Sequence, residues 1–167
     1  MYKYKKAAVG GTFDILHLGH KRLLERTFEL SSYVVIGITS DNFVSKLNKT
    51  TSNDYNLRVR NLENFVKFKF PNHKFEIFKL EDYFGPASFL YDIDIIVLTT
   101  ENHHRLESLN RTRTLNGLSA IISEIVDIIN AKDGYPISST RIKKGEIDSS
   151  GNLLNGNTAS FTATWLF

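Results

Sequence analysis

The chain of 167 residues contains no cysteine. Disulfides, thiolate nucleophiles and cysteine-ligated zinc are therefore excluded as sources of stability or chemistry. Long apolar runs are missing too. No stretch approaches the roughly 18 residues that a membrane helix needs, and the apolar run after Lys6 is too short for a signal peptide. The expectation left by these absences is a cytoplasmic protein with no membrane partner. Charge of one sign is also scarce. The net charge is +3, the lysines and arginines are spread along the chain, and no RRM-like pairing of aromatic and basic residues occurs, so no nucleic-acid partner is expected. A weakly positive balance suits a protein that handles anionic phosphates. With 41% apolar and 23% charged residues, the composition is that of a globular protein, and the length fits one domain with a substantial core.

Short apolar runs alternate with amphipathic stretches. Residues 7–11 and 32–39 read as buried strands. Between them, residues 18–30 have helical spacing, with Leu23, Leu24, Thr27 and Phe28 on one face. Asp41 is placed to cap a short helix through Lys46. Residues 47–56 are polar and read as a mobile loop. A helix over 57–70 is ended by Pro71-Asn72, strands follow at 74–80 and 92–99, and a helix over 102–115 stops at Asn116-Gly117. Residues 120–129 form a fifth strand and residues 138–144 a last short helix. His73 reads as a turn residue, and the adjacent His103 and His104 as surface residues. The alternation predicts the α/β class, as a single Rossmann-like domain over residues 1–154. Its five-stranded parallel sheet would have order 3-2-1-4-5 with helices on both faces, and ligands would bind beyond the carboxyl ends of the strands. Residues 155–167 form a tail ending in Trp165-Leu166-Phe167, with no role assigned.

The segment Gly10-Gly11-Thr12-Phe13-Asp14-Ile15-Leu16-His17-Leu18-Gly19-His20 runs from the end of the first strand into the first helix. Its glycines let the backbone turn sharply near a ligand. His17 and His20 lie three apart, so one helical turn can aim both at one point, and the helix start adds free amides and a positive dipole end for a phosphate. Two plainer readings compete: two surface histidines beside a glycine turn, or a zinc pair whose third ligand would have to be Asp14. A second segment, Pro136-Ile137-Ser138-Ser139-Thr140-Arg141, places hydroxyls at a helix start, where they cap the helix or bind phosphate oxygens with Arg141. A third runs from Leu98-Thr99-Thr100-Glu101 into a helix bearing Arg111 and Arg113.

The Gly-Thr-Phe-Asp stretch followed by His-x-Gly-His resembles the signature of the nucleotidyltransferase superfamily. The run from Pro136 to Ile142 with Gly145-Glu146-Ile147-Asp148, the Thr39-Ser40-Asp41 triplet, Arg58, and the 110–118 pattern with Arg113 look like archaeal phosphopantetheine adenylyltransferases. That resemblance spans residues 5–154. It departs at Glu101-Asn102, where the family has Glu-Thr, and at Asp54-Tyr55-Asn56-Leu57-Arg58, where it has a Pro-Tyr-Glu-Glu-Arg-like run.

The resemblance implies transfer of AMP from ATP to 4'-phosphopantetheine, giving dephospho-coenzyme A and pyrophosphate, by a monomer. Magnesium would be held mainly by the ATP phosphates. His20, His17 and Lys49 are the implied catalytic residues, with Lys46 as the second choice of loop lysine. The nucleotide would meet Gly11, Thr12 and Phe13, then Thr99 and Glu101, then Ile137, Ser138, Ser139, Thr140 and Arg141. Thr12, Asp14, Lys46, Lys49 and Arg113 would serve the acceptor, Arg113 either clamping a phosphate or pairing with a carboxylate. No dedicated metal ligand is implied. A sister enzyme acting on nicotinamide mononucleotide, glycerol phosphate, choline phosphate or flavin mononucleotide is the nearest alternative. A nucleotide-binding module without turnover is the alternative from another class.

Overall fold

The computed structural model describes residues 1–154. The strands are β1 (Tyr4–Gly11), β2 (Ser31–Thr39), β3 (Lys74–Leu80), β4 (Ile95–Thr99) and β5 (Ile122–Val126). The helices are α1 (Leu18–Leu30), α2 (Asp41–Lys46), α3 (Tyr55–Lys69), α4 (Leu106–Leu115) and α5 (Ser139–Lys143), with short 3-10 turns at Gly85–Ser88 and His103–Arg105. The strands form one parallel sheet, as the alternation of elements predicts, in the order β3-β2-β1-β4-β5 expected of the Rossmann-like class. Among the described residues, no helix is long and apolar enough to cross a membrane.

The two faces follow from the two-residue period of a strand. Ala7 and Val9 of β1, with Ile95 and Val97 of β4, belong to a core shared with Leu24 and Phe28 of α1 and with Leu62 and Val66 of α3. Ala8 and Ile96, between them in sequence, belong to a second core with Ala87 and Leu109. A third, small cluster of Ala131, Ile137 and Ile147 holds the chain after β5. Fully burying side chains of this kind is worth about 1.5–3 kcal/mol each.

Several boundaries differ from the sequence reading, each for a local reason. Ser40, not Asp41, caps α2, its hydroxyl accepting from the Phe43 amide at 2.9 Å. Asp41 instead accepts from the Tyr55 amide at 3.0 Å and pairs with Arg58 at 2.8 Å. The fourth strand starts at Ile95 rather than residue 92: the Asp94 amide still donates to the Lys6 carbonyl at 2.9 Å, but its carboxylate takes the Lys5 and Lys6 amides at 2.8 and 3.0 Å. The expected helix over 102–115 opens as a 3-10 turn, since the Asn102 side chain folds back to accept the Thr99 amide at 2.7 Å. The segment read as a mobile loop is fastened: the amides of Ser52 and Asn53 both donate to Asp14, at 2.7 and 2.9 Å. The Trp165-Leu166-Phe167 end lies outside the described residues.

Candidate active site

A sheet of this order reverses its winding between β1 and β4, and their carboxyl ends diverge to leave a crevice. A cavity of about 760 Å3 opens there. Its floor is the turn after β1. Gly10 sits beside Gly37 of β2, and a Cβ on Gly37 would come within 2.7 Å of the Leu80 side chain, which packs there over bare backbone. Phe13 has φ of 51°, a left-handed conformation that costs a non-glycine residue of order 1 kcal/mol. Its ring is fully buried and lies 5.1 Å from the His20 ring. The strained turn is thereby paired with a core anchor directly beneath a histidine.

His17 is the N-cap of α1. Its Nδ1 accepts from the Gly19 and His20 amides at 3.1 and 3.4 Å, which assigns the ring proton to Nε2 and leaves that N–H as the free donor. The His20 ring stacks on it at 3.8 Å, with 24° between the planes. Burial lowers the His17 pKa to about 4. Burial, and next the neighbouring His17, lower that of His20 to about 3, with the Ile15 backbone pulling weakly the other way. Both rings are therefore neutral at pH 7.

The helix start differs from the expectation of free amides. Besides the two that His17 accepts, the Leu18 amide donates to the Ser149 carbonyl at 2.9 Å. The first amides of α1 are thus occupied, and what this end offers an anion is the imidazole pair. Gly19 likewise serves the ring more than a ligand: a Cβ there would stand 2.9 Å from Cε1 of His17.

The serine motif is divided in the same way. The Ser138 hydroxyl caps α5 by accepting from the Arg141 amide at 3.2 Å. The Ser139 hydroxyl accepts from the Ile15 amide at 3.1 Å and donates to the Ile15 carbonyl at 3.2 Å, docking α5 on the glycine turn. Both serines and Ile137 line the cavity, and the helix start leaves the Ser139 and Thr140 amides without intrahelical acceptors. The Thr140 side chain is exposed and not part of the wall. Arg141 is a strut outside the cavity wall. It pairs with Asp133 and Glu146 and donates to the Tyr135 and Pro136 carbonyls. Burial opposes its charge, but the two carboxylates hold its pKa above the ordinary value.

Gly11, Thr12, Phe13, His17, His20, Lys49, Thr99 and Glu101 all line the cavity, so the structure brings these predicted site residues together. Besides Thr140, four others are not in its wall. Lys46 is exposed to solvent. Asp14 is buried, and both its oxygens accept loop amides rather than facing an acceptor. Arg113 is 1% exposed and donates to the carbonyls of Ser119, Ala87 and Leu90 at 2.8, 2.6 and 2.9 Å. Among the described residues its bonds go to carbonyls and to no carboxylate; it fastens α4 to the 85–90 segment, and burial lowers its pKa. Arg141 is the fourth.

The sequence reading passed over the cavity's far wall. Phe43 meets Tyr83 edge-on at 5.3 Å, and the Arg105 guanidinium lies 3.7 Å over the Tyr83 ring. The clue lay in Asp82-Tyr83-Phe84-Gly85-Pro86, a turn in which the Asp82 carboxylate accepts the Phe84 and Gly85 amides at 2.9 and 2.7 Å. Asp127 lines the cavity as well. Arg58 was noted for resemblance alone. It is fully buried and donates to the Thr12 and Thr39 carbonyls at 2.8 Å each, which fixes the turn carrying the site.

A glycine turn with a neutral histidine pair stands at one side of the cavity and a serine-started helix at the other. The sequence model of the cytidylyltransferase-like family matches residues 8–145, and the chain belongs to that family. Its relatives include the phosphopantetheine adenylyltransferase of Methanosarcina acetivorans, 43% identical over 150 residues, covering 89% of this chain and 95% of that protein. The phosphopantetheine adenylyltransferase of Methanothermobacter thermautotrophicus is 36% identical over 152 residues, 91% of each chain. Among solved structures, a protein of unknown function from Archaeoglobus fulgidus aligns with a TM-score of 0.65 and 28% identity, covering 73% of this chain and 89% of that one. A putative nicotinate-nucleotide adenylyltransferase from Vibrio parahaemolyticus shares the fold, with a TM-score of 0.50 and 18% identity over 88% of this chain and 83% of its own.

Proposed function

We propose that the protein is an adenylyltransferase of coenzyme A biosynthesis, transferring AMP from ATP to 4'-phosphopantetheine with release of pyrophosphate. The observation that carries this is identity of 36–43% with enzymes of that name over nearly the whole chain, joined to a cavity that gathers the phosphate-handling residues. A phosphate oxygen of the acceptor attacks the α-phosphorus of ATP. One P–O bond forms, the bond to the β-phosphate bridge breaks, and pyrophosphate leaves with the electron pair. The chain supplies no covalent nucleophile, so its contribution is positioning and charge stabilisation.

In this reading His20 and His17, as neutral donors, meet the α-phosphate. Lys49 brings the positive charge that two stacked neutral rings do not. The free amide of Ser139 meets the outer phosphates, with Ser138 capping the helix start beside it. Among the described residues no group of three or more His, Asp or Glu side chains could hold a metal ion. Magnesium carried in on the ATP phosphates would neutralise phosphate charge there. We take the protein to act as a cytoplasmic monomer, which sedimentation of the purified chain checks.

The test is pyrophosphate release with ATP across a panel of phosphate-bearing acceptors. Release with 4'-phosphopantetheine alone is the expected result. Release with nicotinamide mononucleotide, glycerol phosphate, choline phosphate or flavin mononucleotide instead would replace the acceptor and keep the site. Folded, nucleotide-binding protein that releases none with any acceptor would overturn the enzymatic reading.

A further inference from the structure

We propose that Asp14 and Arg58 are positioning residues that clamp the 48–53 segment to the glycine turn and so set where Lys49 stands in the cavity, an inference that rests on the nucleotidyl-transfer reading. Asp14 is 6% exposed, and its two oxygens accept from the Ser52 and Asn53 amides at 2.7 and 2.9 Å. The Asn53 side-chain amide donates back to the Asp14 carbonyl at 2.9 Å. Arg58, with no exposed surface, donates from Nε to the Asn53 carbonyl at 3.2 Å and from Nη1 to the Thr12 and Thr39 carbonyls at 2.8 Å. Its Nη2 meets the Asp41 carboxylate at 2.8 Å. One carboxylate and one guanidinium therefore tie three chain segments together through backbone atoms, and neither is part of the cavity wall.

Lys49 lies at the other end of the clamped segment. Its amide donates to the Val44 carbonyl at 3.1 Å, and Asn48 before it takes a left-handed φ of 54° that ends α2 sharply. The side chain lines the cavity, and among the described residues its ammonium has no hydrogen-bond or ion-pair partner. A lysine on a four-carbon stem is useful to a reacting phosphate only if its backbone is held, because the stem itself is not rigid. The segment is held at both ends, by α2 on one side and by Asp14 with Arg58 on the other. A carboxylate is required at position 14. An amide there would set its own N–H against one of the two donors and release half the clamp.

The experiment is a double-mutant cycle between Asp14→Asn and Lys49→Ala, read both as turnover and as ATP affinity, with melting curves for every variant. Asp14→Asn is expected to lower kcat/KM by about 10-fold or more, and the double variant to be no slower than Lys49→Ala alone, because a misplaced lysine and an absent one are equivalent. Losses that multiply would show that Asp14 acts independently of Lys49 and would overturn the proposal. So would a silent Asp14→Asn or a silent Lys49→Ala. If Asp14→Asn does not fold, Asn53→Ala, which removes one bond of the same clamp, replaces it in the cycle under the same criteria. His73→Ala, at the opposite end of the sheet, is the control for general destabilisation, and its effect should add to that of Lys49→Ala. If the wild-type protein turns over no acceptor, the proposed reaction fails, and the cycle in ATP affinity still decides the positioning claim.

Discussion

The two ends of the sheet use the same side chains to opposite effect. At the amino end, His73 packs edge-on against Phe28 at 5.2 Å and Phe70 at 5.9 Å, and its Nε2 sits between the Tyr2 hydroxyl and the Phe28 carbonyl at 2.9 and 3.0 Å. At the carboxyl end, His20 packs against Phe13 and His17. In both residues Nδ1 is buried without a hydrogen-bond partner. What separates them is the rest of the wall. Aromatic rings close the amino end, with Phe28 and Phe70 stacked at 4.2 Å. Glycines and serines leave the carboxyl end open. An imidazole set in an apolar nest becomes chemistry when one side of the nest is missing, and structure when it is complete.

The comparison breaks most sharply at the histidines themselves. His20→Ala should lower kcat by about 10²–10³ while ATP affinity stays within a few-fold, as for loss of a donor to developing charge. His73→Ala should leave kcat intact and lower the melting temperature. Steady-state kinetics beside calorimetry reads both. Arg113→Ala comes next. It leaves three carbonyls, the one of Ala87 in a buried bond, without their donor and should cost about 2–3 kcal/mol in denaturant unfolding, with turnover per folded molecule unchanged. A loss of turnover without a loss of stability would return Arg113 to the site. A smaller effect, about 10-fold in kcat/KM, is expected of Gly19→Ala, whose methyl group pushes on the His17 ring even as alanine favours the helix.

The smallest effect is on pH. Both site histidines have folded pKa values, about 4 and about 3, below the ordinary 6.5. The unfolded chain therefore takes up protons first as the solution is acidified. Their contribution to stability is complete above pH 6.5 and is lost as the pH falls from there through the two folded values. Thermal melts from pH 7 downward should show this slope, and it should flatten in a His17→Gln/His20→Gln variant. No flattening would mean that other groups dominate the acid side.

Most of the fold could be read from the chain because its signals are local. The apolar runs in β1, β2 and β4, the spacing of Leu23, Leu24, Thr27 and Phe28, and the Pro71-Asn72 stop each need only neighbours in sequence. The histidine–glycine motif was legible for the same reason. What was misread depends on partners far along the chain. Asp14 is defined by Ser52 and Asn53, Arg113 by Ala87 and Leu90, and the Ser139 hydroxyl by Ile15. Nothing in the residues around an arginine says whether its guanidinium will find carbonyls, carboxylates or a ligand. Asp92 and Asp94 show the same limit on a smaller scale, since their pairing with Lys6 and the β1 backbone shortens a strand that composition alone extends.

The bond from the Leu18 amide to the Ser149 carbonyl, and the pair between Ile15 and Ser139, have a consequence for the order of events in the cell. They join residues 15–18 to residues 139–149. During synthesis the glycine turn leaves the ribosome early, and the three innermost strands can pair around it while α5 is still to be made. The histidines then wait in an unfinished socket, with the Leu18 amide uncapped. The socket proposed for the nucleotide is thus complete only once the chain through Ser149 has emerged.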